Sequence, residues 1–132
     1  MHTSSYGFNF GTLLLRLLVG LSMLFHGYAK LNFGTTFIEN TLANKGLPEL
    51  LVYGVYVGEI LAPLLLIIGF KTRIAAFIVI VNMIFAIVLV HPNDILALTQ
   101  NGGLVLELQY FYIITALAIM MFGAGKFGID RN

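Results

Sequence analysis

The chain has 132 residues, 59% of them hydrophobic and 10% charged, with a net charge of +1 and no cysteine, where soluble domains carry about a quarter charged residues. This composition excludes a soluble catalytic domain, and the lack of any basic run leaves no electrostatic footprint for nucleic acid. Without cysteine the chain can hold no disulfide, thiolate nucleophile or thiolate-bound iron–sulfur cluster, so electron chemistry needs a borrowed cofactor or a partner. Four stretches are apolar enough to cross a bilayer at about 20 residues each. The expected fold is all-α, an integral membrane four-helix bundle occupying 1–132 as one domain.

The first span is predicted over 11–31, and the polar stretch from Asn32 to Pro48 breaks it. No Lys or Arg precedes Arg16 and no small-residue cleavage site follows the run, so this span is expected to stay in the mature protein. The second span is predicted over 49–70 and the third over 72–90, joined by the basic turn Lys71-Thr72-Arg73, which makes them antiparallel neighbours. After His91-Pro92-Asn93-Asp94 a link ending in Asn101-Gly102-Gly103 leads to a fourth span over 104–122, which Gly123, Gly125 and Gly128 terminate. Gly20, Gly27, Gly54 and Gly58 are small enough for close helix approach, and Gly54 and Gly58 have the four-residue spacing of membrane helix packing.

Loop cations set orientation, because Lys and Arg are retained on the cytoplasmic side. Lys71, Arg73, Lys126 and Arg131, with Arg16 just inside the membrane, outweigh Lys30 and Lys45 on the other side, which predicts both termini inside.

An ionisable residue at membrane depth costs about 2.5 to 3.5 kcal/mol, so each requires a partner, water or a route to the surface. Glu59 and Asn82 fall about 12 to 16 Å from their span ends, at mid-depth on neighbouring helices. Pro63 cannot donate to the Glu59 carbonyl, which predicts a kink there. Glu59 either bonds Asn82 as a protonated interhelical link or carries a proton. Nearer the outer surface His26 and Lys30 share one helical face at a depth similar to that of Glu107 and Tyr110, and His91 ends its span on the same side. These groups either line one ligand pocket, or Lys30 reaches the headgroups while Glu107 neutralises it. Arg16 is expected to reach the cytoplasmic surface. No spacing of His or Met suits a metal, and no phosphate loop or nucleophile motif occurs.

Arg16 with Gly20, His26-Gly27 with Lys30-Leu31, Glu59 followed by Leu65, Leu66, Gly69, Thr72 and Arg73, then Glu107, then Gly123, Gly125, Lys126 and Asp130 together resemble the DoxX family over nearly the whole chain. That resemblance implies a small multi-pass protein of the bacterial or archaeal cell (inner) membrane. It also marks Arg16, His26, Lys30, Glu59, Arg73 and Glu107 as functionally suspect. Family members include subunits of thiosulfate:quinone oxidoreductase and proteins linked to oxidative or thiol stress. The leading expectation is a membrane subunit of a quinone-linked redox system, with a quinone near His26, Lys30, Glu107 and Tyr110 and with a protein partner or a second copy. The alternatives are a non-enzymatic anchor or assembly module and a small proton-coupled carrier working through Glu59.

Overall fold

The computed structural model describes residues 5–130, so Arg131, counted in the orientation argument, lies outside the described residues. Three helical stretches are long and apolar enough to cross a membrane: Tyr6–Phe33, Glu49–Ile68 and Thr72–Val90. Among the described residues the structure is helical, with one isolated antiparallel bridge between Leu98 and Leu104 in the link before the last helix.

Helix α1 (Tyr6–Phe33) has 28 residues and is about 42 Å long at 1.5 Å per residue, starting earlier than its apolar run predicts. Ser5 caps it by accepting from the Phe8 N–H at 3.3 Å, which satisfies one of the free donors of the first turn. Gly34, at φ 84°, ends it and donates its N–H to the Lys30 carbonyl. The polar stretch that follows is not all loop: α2 (Thr36–Asn44) forms within it. Nine residues are too few for a free-standing helix. Ile38 and Leu42, four apart on one face, pack against Val52 and Leu89, and that burial holds α2 in place.

The second stretch is a composite. A tight turn at Glu49–Leu51 leads into α3 (Val52–Tyr56), then a wide π-helical turn at Val57–Leu61, then α4 (Ala62–Ile68). The π turn explains what Pro63 does. A proline has no N–H for the carbonyl four residues back, and here the helix widens so that Ala62 donates to Val57, five residues back. The kink expected from sequence is therefore a local widening, a form common at functional sites.

Helices α5 (Thr72–Val90) and α6 (Glu107–Phe122) follow. The main buried core draws on four of these helices, with Met23 of α1, Leu66 of α4, Val79 of α5 and Ala116 of α6 at its centre. The outward faces are apolar, as Leu14, Phe25, Phe77, Val88, Phe111 and Ile114 illustrate. Of the expected small-residue pair only Gly58 packs: a Cβ there would lie 2.6 Å from Asn82, whereas nothing lies within 4 Å of one on Gly54.

At the end opposite α2, the segment after α6 folds back over the helix termini. Lys126 N–H donates to Asn9 Oδ1 at 3.0 Å, and Ile129 and Asp130 N–H groups donate to the Ile68 and Gly69 carbonyls. The Asp130 carboxylate accepts from the Lys71 and Thr72 N–H groups at 2.9 and 2.8 Å, capping α5 from a distant part of the chain. Partial burial pushes the Asp130 carboxyl up, but these two N–H groups, the Thr72 hydroxyl and the Lys71 charge outweigh it and hold the pKa below the ordinary value.

Because the folded value is the lower one, the stabilisation from Asp130 is complete above the unfolded aspartate value of about 3.9 and is lost as pH falls through the folded value. Asp130→Ala removes the cap and should cost about 1 kcal/mol. Thermal unfolding in detergent should show this loss at pH 7. Hydrogen-exchange protection at Lys71 to Ile74, corrected for the intrinsic rate at each pH, should fall in the variant and, in the parent, only in acid.

Candidate functional site

Side chains on an α-helix lean toward its N-terminus, so Lys30, near the C-terminal end of α1, points back into the helical core. Its ammonium donates to Glu59 Oε1 at 2.7 Å. Glu59 sits in the wide turn, and its side chain is 8% exposed against 25% for Lys30. The approach of α1 that makes this pair depends on Gly27, since a Cβ there would lie 2.5 Å from the Glu59 carbonyl oxygen. Asn82 Nδ2 stands 3.5 Å from Glu59 Oε2, at the limit of a useful hydrogen bond. Glu59 and Asn82 are thus neighbours, as their depths predict, but the dominant partner of Glu59 is Lys30. An ion pair carries no net charge, which reduces the cost of placing both groups at depth.

A cavity of about 260 Å³ opens beside the pair. Its polar lining is His26, Lys30, Glu59, Asn82, His91 and Gln109. Phe37 and Ile38 of α2 close it on one side, and Met83 and Leu89 of α5 on another. The His26 ring meets Tyr112 edge to face with centroids 6.2 Å apart, and the Tyr112 hydroxyl interacts with the Ser22 side chain. His91 Nδ1 lies 3.2 Å from Asp94 Oδ2, so a carboxylate stands behind the imidazole. The cavity therefore offers an ammonium, two imidazoles and two side-chain amides against apolar walls, a set of donors and acceptors suited to a small ring bearing oxygens.

Five of the residues singled out from sequence, His26, Lys30, Glu59, Asn82 and His91, meet at this cavity. Glu107 and Tyr110 do not. Glu107 is exposed at the start of α6, with Oε1 2.6 Å from where a Gly103 Cβ would stand. The Tyr110 hydroxyl donates to the Ile95 carbonyl at 2.6 Å. The error is one of helical phase. Tyr112, Ala116 and Ile119 form the buried stripe of α6, and continuing that stripe toward the N-terminus brings Leu108 and Gln109 inward and turns Glu107 and Tyr110 aside. Gln109 and Tyr112 carry no such mark in the sequence, because α6 is apolar on its outward face as well and its buried stripe shows only in the structure.

Arg16 does not reach the surface. It is fully buried, and its Nη1 donates to the Leu66 and Ile67 carbonyls at 3.0 and 3.2 Å. Those carbonyls are in the last turn of α4, at the negative end of the helix dipole, and that of Leu66 also accepts from the Gly69 N–H at 3.2 Å. Backbone acceptors thus take the place of the carboxylate that the sequence lacks at that depth. Arg73 is exposed in the first turn of α5, at the opposite end of that helix from the cavity.

The DoxX family profile matches residues 11–92, which includes the Lys30–Glu59 pair, Asn82 and His91. A Haemophilus influenzae protein described only as uncharacterized is 37% identical over 122 residues, covering 89% of this chain and 87% of the relative. The Bacillus subtilis protein named putative oxidoreductase CatD is 27% identical over 123 residues, covering 93% of this chain and 87% of the relative. No solved structure matches the chain.

Removing Lys30 leaves a carboxylate without its cation. Lys30→Met should be destabilising by less than the ~3–5 kcal/mol of a fully buried broken pair, because Lys30 keeps 25% exposure. Adding Glu59→Leu should recover stability, giving a coupling term in a double-mutant cycle. Additive losses in detergent unfolding would show that the two side chains are not energetically paired.

Proposed function

The chain belongs to the DoxX family of membrane proteins, and from that premise we propose that it is a multi-pass inner-membrane subunit of a redox system that binds a quinone ring in the Lys30–Glu59 cavity. The observation that carries this reading is a buried ion pair lining a cavity instead of being sealed by packing. A pair that served only to join helices would gain nothing from adjoining open space. The name of the Bacillus subtilis relative, putative oxidoreductase CatD, agrees with a redox role.

Reduction of a quinone to a quinol takes two electrons and two protons. The electrons come from a partner's redox centre, since this chain carries no cysteine for a cluster. What its own residues do is bind and move protons. The Lys30 ammonium, at 2.7 Å from Glu59, donates to a ring oxygen and is recharged through the carboxyl. His26 orients the ring from the side, its own plane fixed against Tyr112, and His91, backed by Asp94, links the cavity to the outer surface. Matching proton donors to developing oxygen charge is ordinary acid–base catalysis.

In the proposed topology four helices span, with both termini inside. Helix α6, of 16 residues, is about 24 Å long and crosses with the apolar residues Leu104 to Leu106 ahead of it. Lys71, Arg73 and Lys126 then share the cytoplasmic side and α2 lies along the outer interface. Single cysteines at the exposed positions Asn44 and Lys126 test this: an impermeant reagent outside the cell should label Asn44→Cys and spare Lys126→Cys. Labelling of Lys126→Cys with Asn44→Cys spared would invert the protein.

The ring-binding reading is tested by titrating a tailless benzoquinone into the protein in lipid nanodiscs. Lys30→Met should weaken binding about tenfold, the loss of one charge-assisted hydrogen bond of about 1.5 kcal/mol or more. Lys126→Met, exposed at the far end, should leave binding unchanged. Equal affinity in the parent and Lys30→Met would remove the ring from this cavity. No binding to the parent would favour the anchor reading.

A further inference from the structure

A second space lies next to the cavity and has the opposite character. It is a groove of about 160 Å³ between α3 and α5, lined by Leu51, Gly54, Val55, Val81, Asn82 and Phe85. Asn82 is its one polar residue. Val55, Asn82 and Phe85 also line the polar cavity, so no more than these shared side chains separates the two spaces.

We propose that this groove holds the apolar tail of the molecule whose polar ring occupies the cavity, an inference that rests on the ring-binding reading and adds its substrate class: a ring with a hydrocarbon chain, entering from the bilayer between α3 and α5. Three observations support it. The charged groups and imidazoles line only the cavity, whereas the groove's lining is hydrocarbon apart from Asn82. Gly54 is exposed and nothing lies within 4 Å of where its Cβ would stand, so the groove is open where a neighbouring helix surface would be closed by a side chain. The volumes also match an amphipathic occupant: the cavity, at about 260 Å³, lies below the ~300–1,000 Å³ typical of drug-sized ligand sites, and the groove brings the combined space into that range.

Val81 is 48% exposed on the opposite wall from Gly54, so the groove can be narrowed independently from either helix without touching Lys30, Glu59 or His26. Gly54→Leu fills it from α3 and Val81→Phe fills it from α5. The probes are a dimethoxymethylbenzoquinone without a side chain and the same ring carrying a decyl chain, titrated into nanodiscs of fixed lipid composition. The quantity read is the ratio of the two affinities in each variant, compared with the same ratio in the parent, which cancels partitioning of the decyl chain into lipid.

Each filling variant should lower that ratio about tenfold, equivalent to losing about two buried methylenes, and leave the tailless ring within about twofold of the parent. Gly54→Ala, which adds a single methyl, should do less. An unchanged ratio in both variants would overturn the tail site and leave the ring site standing, as it would if lipid acyl chains fill the groove instead. Equal loss for both rings would also overturn it, because the substitutions would then be acting on the ring site itself. Failure of either ring to bind the parent would overturn the ring-binding reading, and the tail site with it.

Discussion

The ion pair between Lys30 and Glu59 is the constraint that the rest of this architecture accommodates. Two ionisable groups inside an apolar assembly are tolerated only if they meet, and at 2.7 Å they do. Their meeting requires α1 to press against the second helical stretch, which Gly27 permits by having no Cβ to collide with the Glu59 carbonyl. It also requires Glu59 to be presented from a widened turn, a shape that Pro63 favours by withholding an N–H from the regular ladder. On its other side Gly58 lets α5 approach so that Asn82 stands near the same carboxylate. One polar contact thus accounts for a glycine on α1, a glycine and a proline on the second stretch and an asparagine on α5.

The opposite end is built on a different principle. There the charged groups make their hydrogen bonds to backbone, with Asp130 also a coulombic neighbour of Arg16: Arg16 takes the last carbonyls of α4, and Asp130 takes the first N–H groups of α5. Both use the dipole of a helix end as the counter-charge, and both lie beside the turn at Gly69. A side chain that neutralises a helix terminus leaves no room for a ligand, and the segment after α6 closes over it. The two ends thus differ: one is closed by its own chain, while the end near α2 keeps its charges around an open space.

The positions of the helices were largely legible because hydrocarbon length is a coarse requirement that any apolar run of sufficient length meets. The ends of α1 and the existence of α2 were not. Helix α2 is polar overall, and only the burial of Leu42 under Val52 and Leu89 makes it form, a tertiary effect that no local pattern carries. In the site, depth correctly grouped His26 with Lys30 and Glu59 with Asn82, since rise per residue is fixed. Depth does not specify azimuth, which is why Glu107 and Tyr110 were grouped with residues they do not face. Azimuth leaves little trace in α6, whose outward face is as apolar as its buried one, whereas the axial lean of side chains toward the helix N-terminus directs Lys30 to the depth of Glu59 and away from the headgroups. Arg16 was misplaced for another reason: its acceptors are main-chain carbonyls, which leave no mark in the identity of residues 66 and 67.

Membership in a family and an all-helical fold would be equally consistent with an inert anchor, because fold does not fix function. The distinction rests on where open space lies relative to charge. An anchor is best served by filling its interior, since each unfilled volume forfeits packing energy. This chain fills its core at Met23, Leu66 and Val79 yet leaves space beside a buried ion pair. Filling that space with aliphatic side chains and replacing the pair would in general stabilise a protein of this kind. Its retention beside two imidazoles and a lipid-facing groove is the arrangement expected when stability has been exchanged for binding.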